Sequence, residues 1–209
     1  MNLNQCLIIV DVQNDFLSHG ALAVPNGEEV IAPINDIVDL FDTVVYTQDW
    51  HPENHISFAS NHSDRKILDV IELDYGTQVL WPNHCVENTK GAELASNLKI
   101  ASKAHFVKKG IHSQIDSYSG FLEADRKTST GLAEWLKARG IKQVFICGLA
   151  TDFCVSWTAL DAKNLGFDVL VIEDACRGLD INDSIKQEKL KWQANGIKVT
   201  STEKLPHIA

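Results

Sequence analysis

The chain has 209 residues, of which 44% are hydrophobic and 22% are charged, which is a composition typical of a globular protein with one sizeable core. Its net charge of -9 argues against nucleic acid or an anionic membrane as the main partner, because both require a basic surface. We therefore expect one domain over residues 1–209 that acts on a small molecule.

The five cysteines are an odd number and are spread widely, which indicates reduced thiols rather than a disulfide framework. The N-terminal apolar run CLIIV is too short for the core of a signal peptide and stops at Asp11. No run approaches the roughly 20 apolar residues that a membrane span requires. We expect a cytoplasmic protein.

Six short β-rich runs are continuously apolar, as in strands that are covered on both faces: CLIIV, TVVYT, AHFVK, QVFICG, DVLVIE and IKVTS. Helical patterns lie between several of them, in EEVIAPINDIVDLF, TGLAEWLKARG, TDFCVSWTALDAKNLG and SIKQEKLKWQANG. Three of these patterns end at a glycine that suits a helix C-cap, namely Gly140, Gly166 and Gly196. The alternation predicts an α/β fold of βαβ units around a parallel sheet.

The region of about residues 50–102 departs from this alternation. It is rich in loop-forming residues and contains HPENH and WPNHC. A long irregular connection in a compact domain is usually functional or disordered, and the histidines and aromatic residues here favour a function. We expect metal and substrate to bind in this region.

Polar and reactive side chains follow several of the predicted strands. Asp11 follows the first strand, Asp49 and His51 the second, Lys108 and Lys109 the third, and Cys154 comes shortly after the fourth. Ligands of an open parallel sheet bind beyond the carboxyl ends of its strands. We therefore expect these side chains to gather at one edge of the sheet.

Asp49 and His51 are two positions apart, so that in an extended segment both side chains point to one face. Pro52 keeps His51 out of the α region. The pair forms half of a metal site with oxygen and nitrogen ligands, and His84 is the best candidate for a third ligand. The alternative interpretation is a surface loop made of turn-forming residues.

Cys154 begins a predicted helix after a strand and a glycine turn, where the positive end of the helix would lower the pKa of its thiol. The alternative is a small buried apolar residue. A cysteine nucleophile needs a base that takes its proton and a cation that favours the thiolate. Asp11 and Lys109 supply both if the strand order brings them beside Cys154.

Five stretches of the chain, taken in order, resemble the nicotinamidases of the isochorismatase-like cysteine hydrolase superfamily: LIIVDVQNDF, TQDWHPENHISFA, LWPNHCVENTKGAEL, KKG…DSYSGF and GLATDFCVSWTALDA. DVQNDF and ATDFCV fit the superfamily as a whole, whereas DWHPENH with WPNHC resembles its metal-containing branch. The stretch SDRKILDVIELDYGTQV matches none of these motifs. The resemblance implies a three-layer sandwich in which helices flank a six-stranded parallel sheet.

The resemblance also implies the site. It gives a catalytic triad of Asp11, Lys109 and Cys154, an oxyanion hole at the backbone N–H groups of Ala150 and Cys154, and a cis peptide bond between Leu149 and Ala150. It implies one divalent metal ion, with zinc as the first choice and iron or manganese as alternatives. Asp49, His51 and His84 would hold this ion, and His55 or Ser57 would be a further ligand. Phe16 and Trp81 are at motif positions that suit the walls of a pocket for a flat substrate ring. Leu22 and Tyr118 are their expected neighbours in that pocket.

The implied activity is the hydrolysis of nicotinamide to nicotinate and ammonia, a step of NAD salvage, with pyrazinamide as a second substrate. One alternative is a related amidase that acts on another carbamoyl compound. Another is a non-catalytic metal-binding member, against which the intact set of Asp11, Lys109 and Cys154 argues. A nucleotide-binding domain would need a glycine-rich loop after the first strand, and DVQNDF has none. Both a monomer and a homo-oligomer are compatible with the sequence.

Overall fold

The computed structural model describes residues 3–207 and contains eight strands. They are β1 (Gln5–Val10), β2 (Val44–Asp49), β3 (Val70–Leu73), β4 (Gly76–Val79), β5 (Ala104–Lys109), β6 (Gln143–Leu149), β7 (Asp168–Arg177) and β8 (Lys198–Thr200). Six of them form one parallel sheet in the order β5-β2-β1-β6-β7-β8. Each predicted β-rich run is one of these six strands, so the predicted six-stranded parallel sheet is confirmed.

Helices flank the sheet, and each of the four predicted helical patterns contains one of them. They are α1 (Ile31–Ile37), α2 (Leu132–Ala138), α3 (Ser156–Asn164) and α4 (Ser184–Ala194). A single turn of π-helix, Thr151–Val155, precedes α3. None of the helices within residues 3–207 combines the length and the apolar character that crossing a membrane requires.

The centre of the sheet explains why its strands are continuously apolar. β1 lies between β2 and β6, and all six of its residues are buried. Ile8 of β1 is opposite Ile146 of β6, and both side chains are fully buried. Truncating either one to alanine would leave a cavity that costs about 2–5 kcal/mol. This packing holds the carboxyl ends of the central strands in fixed positions.

β3 and β4 form an antiparallel hairpin that is separate from the main sheet. The hairpin lies in the region of about residues 50–102, where the sequence indicated loops and gave no strand. Its eight residues are mostly half-buried or exposed, so they lack the apolar runs that predicted the other strands. The remainder of that region consists of loops, short 3-10 turns and isolated bridges such as the one between His51 and Val86.

The strand order determines which side chains meet. β5, β2, β1 and β6 are consecutive neighbours across the sheet. Lys109 ends β5, Asp49 ends β2, Asp11 directly follows β1, and the turn that contains Cys154 follows β6. All four are therefore at the carboxyl edge of the sheet, as the rule for open parallel sheets predicts.

Candidate active site

Lys109 is the centre of the group of side chains at this edge. Its Nζ lies 3.0 Å from Oδ2 of Asp11 and 3.4 Å from Sγ of Cys154, and it donates to the carbonyl of Ser117 at 2.9 Å. The side chain is fully buried. Burial lowers the pKa of Lys109, but the attraction of Asp11 and Asp49 outweighs burial and holds that pKa well above its usual value. The ammonium group is therefore a permanent charge of the site.

Asp11 is placed to accept a proton. Its Oδ1 accepts a hydrogen bond from the hydroxyl of Thr47 at 2.6 Å. Its Oδ2 is ion-paired with Lys109 but receives no well-aligned hydrogen bond from any residue between 3 and 207. Burial raises the pKa of Asp11 against the opposing effect of Lys109. A buried carboxylate with a raised pKa is a suitable general base.

Cys154 lies in the turn of π-helix, and its side chain faces Lys109. Burial raises the pKa of this thiol well above its usual value, even though the charge of Lys109 lowers it. The expectation that the helix end would lower the pKa of the thiol is therefore wrong, because desolvation of the thiolate is the larger effect. The thiol consequently depends on a base. Asp11 and Asp49 each have a carboxylate oxygen within 4.8 Å of the sulfur of Cys154, and because Asp49 also belongs to a cluster of potential metal ligands, Asp11 is the candidate base.

The turn that connects β6 to α3 carries the backbone groups expected to form an oxyanion hole. The peptide bond between Leu149 and Ala150 is cis, as the family resemblance implied. The carbonyl of Ala150 accepts the N–H groups of Phe153 and Val155, both at 3.1 Å. Ala150 and Cys154 both line the same pocket.

Asp49, His51 and His84 form a compact cluster of potential metal ligands, and all three are buried. Nε2 of His51 lies 3.6 Å from Oδ2 of Asp49, and Nε2 of His84 lies 3.7 Å from the same oxygen. These separations fit one ion, since bonds of about 2.0–2.1 Å in tetrahedral geometry separate two ligands by roughly 3.4 Å.

The ring orientations of the two histidines also fit a metal ion. Nδ1 of His51 is 2.9 Å from the carbonyl of Gly110, and Nδ1 of His84 is 2.8 Å from the carbonyl of Pro82. A carbonyl only accepts, so each Nδ1 carries a proton and each Nε2 is left as a lone pair. The residues present therefore suit a divalent cation with mixed nitrogen and oxygen ligands.

His55 and Ser57 do not belong to this cluster. Nδ1 of His55 bonds the hydroxyl of Ser57 at 2.7 Å, and its Nε2 bonds the carbonyl of Ile115 at 3.2 Å. Burial lowers the pKa of His55 to about 4, so the ring is neutral near pH 7. His55 instead groups with His51 and Asp116 in a second set of potential ligand atoms. Both ring nitrogens of His55 already form hydrogen bonds within the protein.

A small pocket opens beside these groups, and its empty space, counted out into the solvent at its mouth, is about 400 Å³. The four predicted wall residues, Phe16, Leu22, Trp81 and Tyr118, all line it. The sequence did not indicate the other wall residues, which are Val24, Asp116, Ser117, Phe153 and Leu179. Phe153 could have been suspected because it directly precedes Cys154, whereas Leu179 carries no signal in the sequence.

A family model for the isochorismatase domain matches residues 5–204. The chain belongs to the isochorismatase family. It is 51% identical to a nicotinamidase from Acinetobacter baylyi over 97% of this chain and 95% of that protein. It also superposes on a nicotinamidase and pyrazinamidase structure from Acinetobacter baumanii with a TM-score of 0.96 and 50% identity, over 98% of this chain and 99% of the other.

A third match is more distant. A pyrazinamidase from Pyrococcus horikoshii in complex with zinc has a TM-score of 0.79 and 36% identity, over 95% of this chain and 99% of the other. The likeness of these family members to the chain extends over nearly its whole described length. It therefore includes the sheet edge that carries Asp11, Lys109 and Cys154, together with the cluster of potential metal ligands and the pocket wall.

Proposed function

We propose that the protein is a metal-containing cysteine amidohydrolase of the cytoplasm that hydrolyses nicotinamide to nicotinate and ammonia in NAD salvage, and pyrazinamide to pyrazinoate. The observation that carries this proposal is the position of Lys109, which contacts Asp11 and Cys154 beside an apolar pocket that also contains a metal-ligand cluster. The similarity to nicotinamidases and pyrazinamidases supports the choice of substrate. The five cysteines are free, which suits a reducing compartment.

The first half of the reaction forms a covalent intermediate. Asp11 takes the proton of the Cys154 thiol through Oδ2, the oxygen that is also paired with Lys109, while Lys109 stabilises the thiolate. The thiolate attacks the carboxamide carbon, and the backbone N–H groups of Ala150 and Cys154 bind the oxyanion that develops. Each such donor contributes about 3–4 kcal/mol to transition-state stabilisation where one has been removed from other enzymes.

The second half returns the thiol to its starting state. Asp11 gives its proton to the leaving amine, so that ammonia departs and a thioester remains on Cys154. Asp11 then removes a proton from a water molecule, and the resulting hydroxide attacks the thioester. The C–S bond breaks, the carboxylic acid leaves and loses its proton to solvent as nicotinate, and the thiolate recovers its proton from Asp11.

The proposed metal ion is zinc, with iron or manganese as alternatives that accept the same ligands. Asp49, His51 and His84 would hold it, and both imidazoles already present the unprotonated Nε2 that a metal requires. When bound, the ion supplies a Lewis-acid site for the ring nitrogen of the substrate. Phe16, Trp81 and Cys154 line the same pocket, so the two aromatic side chains would cover the faces of the ring and direct the carboxamide to Cys154.

The test is the release of ammonia from nicotinamide by purified protein, measured before chelation, after chelation and after zinc is added back. We expect release that falls on chelation and returns with zinc. Release that is indifferent to chelation, in protein shown to be free of metal, would contradict the role of the metal. Metal-loaded protein that releases no ammonia from nicotinamide or pyrazinamide would overturn the assigned substrates.

A further inference from the structure

The hairpin of β3 and β4 has an unusual distribution of side chains. Val70, Ile67 and Leu68, in and just before the hairpin, are each more than half exposed. Gln78, a polar residue, is 1% exposed and is the one buried residue of the two strands. A buried amide needs its hydrogen bonds satisfied, so its position points to specific partners.

Gln78 has partners for both ends of its amide. Nε2 donates to Oδ2 of Asp116 at 2.7 Å and to the carbonyl of Val79 at 2.7 Å. Oε1 accepts from the hydroxyl of Tyr75 at 3.1 Å. That hydroxyl also accepts the backbone N–H of Asp116 at 3.3 Å. The hairpin thus holds Asp116 by its side chain and by its backbone.

Asp116 is a wall residue of the pocket and is 3% exposed. Its Oδ1 accepts the N–H of Ser117 at 2.8 Å, and its Oδ2 accepts from Gln78. Within residues 3–207 no lysine, arginine or histidine is ion-paired with it. A buried carboxylate held only by neutral donors loses its defined position when one donor is removed.

A second wall residue depends on the same amide. The hydroxyl of Tyr118 lies 3.3 Å from Nε2 of Gln78 and accepts from Nε1 of Trp81 at 2.9 Å. Trp81 in turn makes an edge-on contact with Phe153, with ring centroids 5.1 Å apart. Gln78 therefore connects to the polar wall through Asp116 and to the aromatic wall through Tyr118.

We propose that Gln78 is a positioning residue for substrate binding, through which the β3–β4 hairpin sets the fit of the pocket to the ring of a small aromatic carboxamide. Gln78 acts through Asp116 and Tyr118 and does not touch the atoms that react. This inference rests on the proposed amidase function. It gives a role to the stretch of the chain that matches no family motif.

The test is steady-state kinetics with nicotinamide on zinc-loaded protein, for the wild type, Gln78→Met, Asp116→Asn and the double variant. Methionine keeps the length of the side chain and removes the donor. We expect Gln78→Met to raise KM about tenfold, the effect of one lost hydrogen bond to a charged group, while kcat changes less than about twofold. In the double variant the two effects should not add, because Gln78 acts through Asp116.

Two further variants separate positioning from folding. Thr77→Val changes the exposed neighbour of Gln78 in the same strand and should leave KM unchanged. Tyr75→Phe removes only the hydroxyl that supports Gln78 and Asp116, and should raise KM about threefold with kcat unchanged. If Gln78→Met does not fold, Tyr75→Phe decides the question by the same criterion.

The outcomes separate the two proposals. A wild type that releases no ammonia from nicotinamide overturns the proposed function, whatever the variants do. An active wild type with an unchanged KM in Gln78→Met overturns the positioning role alone. Equal losses of kcat, thermal stability and zinc content in Gln78→Met would also overturn it, because that pattern is the result of a structural role.

Discussion

Lys109 donates from its ammonium group to Oδ1 of Asp49, so the lysine of the proposed catalytic group, which is Asp11, Lys109 and Cys154, contacts a residue of the proposed metal cluster directly. The other oxygen of Asp49 faces the histidines of the cluster. Burial opposes ionisation of Asp49, but the opposing effects, of which the charge of Lys109 is the largest, outweigh it and hold the pKa of Asp49 well below its usual value. The catalytic group and the metal cluster therefore form one connected set of buried charges.

This connection gives a prediction for Lys109→Met, which keeps much of the side-chain volume and removes the charge. Turnover should fall at least about 10²–10³-fold, because the thiolate and the oxyanion lose a preorganised charge. The free energy of unfolding should fall by about 3–5 kcal/mol, since two buried carboxylates lose their cation. Zinc content should be retained. Ammonia release, denaturant unfolding and elemental analysis test this, and turnover within tenfold of the wild type would contradict it.

Cys154→Ala should reduce turnover below detection while zinc content and the midpoint of unfolding stay close to those of the wild type. The substitution removes the attacking sulfur but leaves Lys109 paired with Asp11. Cys6→Ala is the matched control, because Cys6 is also a buried free thiol but lies inside β1. Activity that persists in Cys154→Ala, or is lost equally in Cys6→Ala, would argue against the nucleophile assignment.

The raised pKa of Cys154 predicts how the thiol responds to pH. A thiol whose pKa lies above its usual value is protonated near pH 7 and forms more thiolate as the pH rises. Its alkylation by iodoacetamide should therefore accelerate by about tenfold per pH unit between pH 7 and 9. The rate is measured by mass spectrometry on the peptide that contains Cys154. A rate that levels off below pH 8 would mean that the thiolate is already formed.

Gly110→Ala should remove the metal without changing any ligand. A Cβ at Gly110 would lie 2.4 Å from Cε1 of His51, and Gly110 has φ of +63°. The control is Gly140→Ala, where φ is +71° and a Cβ would meet nothing within 4 Å. Both variants should lose about 1–2 kcal/mol of stability from backbone strain, but only Gly110→Ala should lose zinc. Equal zinc contents in the two variants would contradict the proposed position of His51.

His55→Gln should retain its metal, whereas His51→Ala should lose it. Both nitrogens of His55 already bond groups of the protein, and the ring lies outside the Asp49 cluster. We expect the zinc stoichiometry of His55→Gln to stay within about twofold of the wild type, because the substitution removes a supporting contact and not a metal ligand. The measurement is elemental analysis after dialysis, and complete loss of zinc from His55→Gln would show that it is a ligand.

The sequence predicted those parts of the site that depend on strand order or on local spacing. Asp11, Asp49 and Lys109 follow apolar runs, and the carboxyl ends of parallel strands share one edge. The role of Gln78 could not be predicted, because its contact with Asp116 joins residues 38 positions apart through a hairpin that is not part of the main sheet. The high pKa of Cys154 could not be predicted either, because desolvation is a property of the folded interior and not of a motif.

The position of β1 between β2 and β6 has a consequence for synthesis of the protein. The ribosome releases the N-terminal strands first, so β1, β2 and β5 can associate while β6 is still unmade. Until β6 has been synthesised, the backbone groups along one edge of the apolar strand β1 are unpaired. Such an edge is a template for association between chains. A nascent chain that is stalled between β5 and β6 would contain Lys109 but not Cys154. It would be both inactive and prone to aggregate.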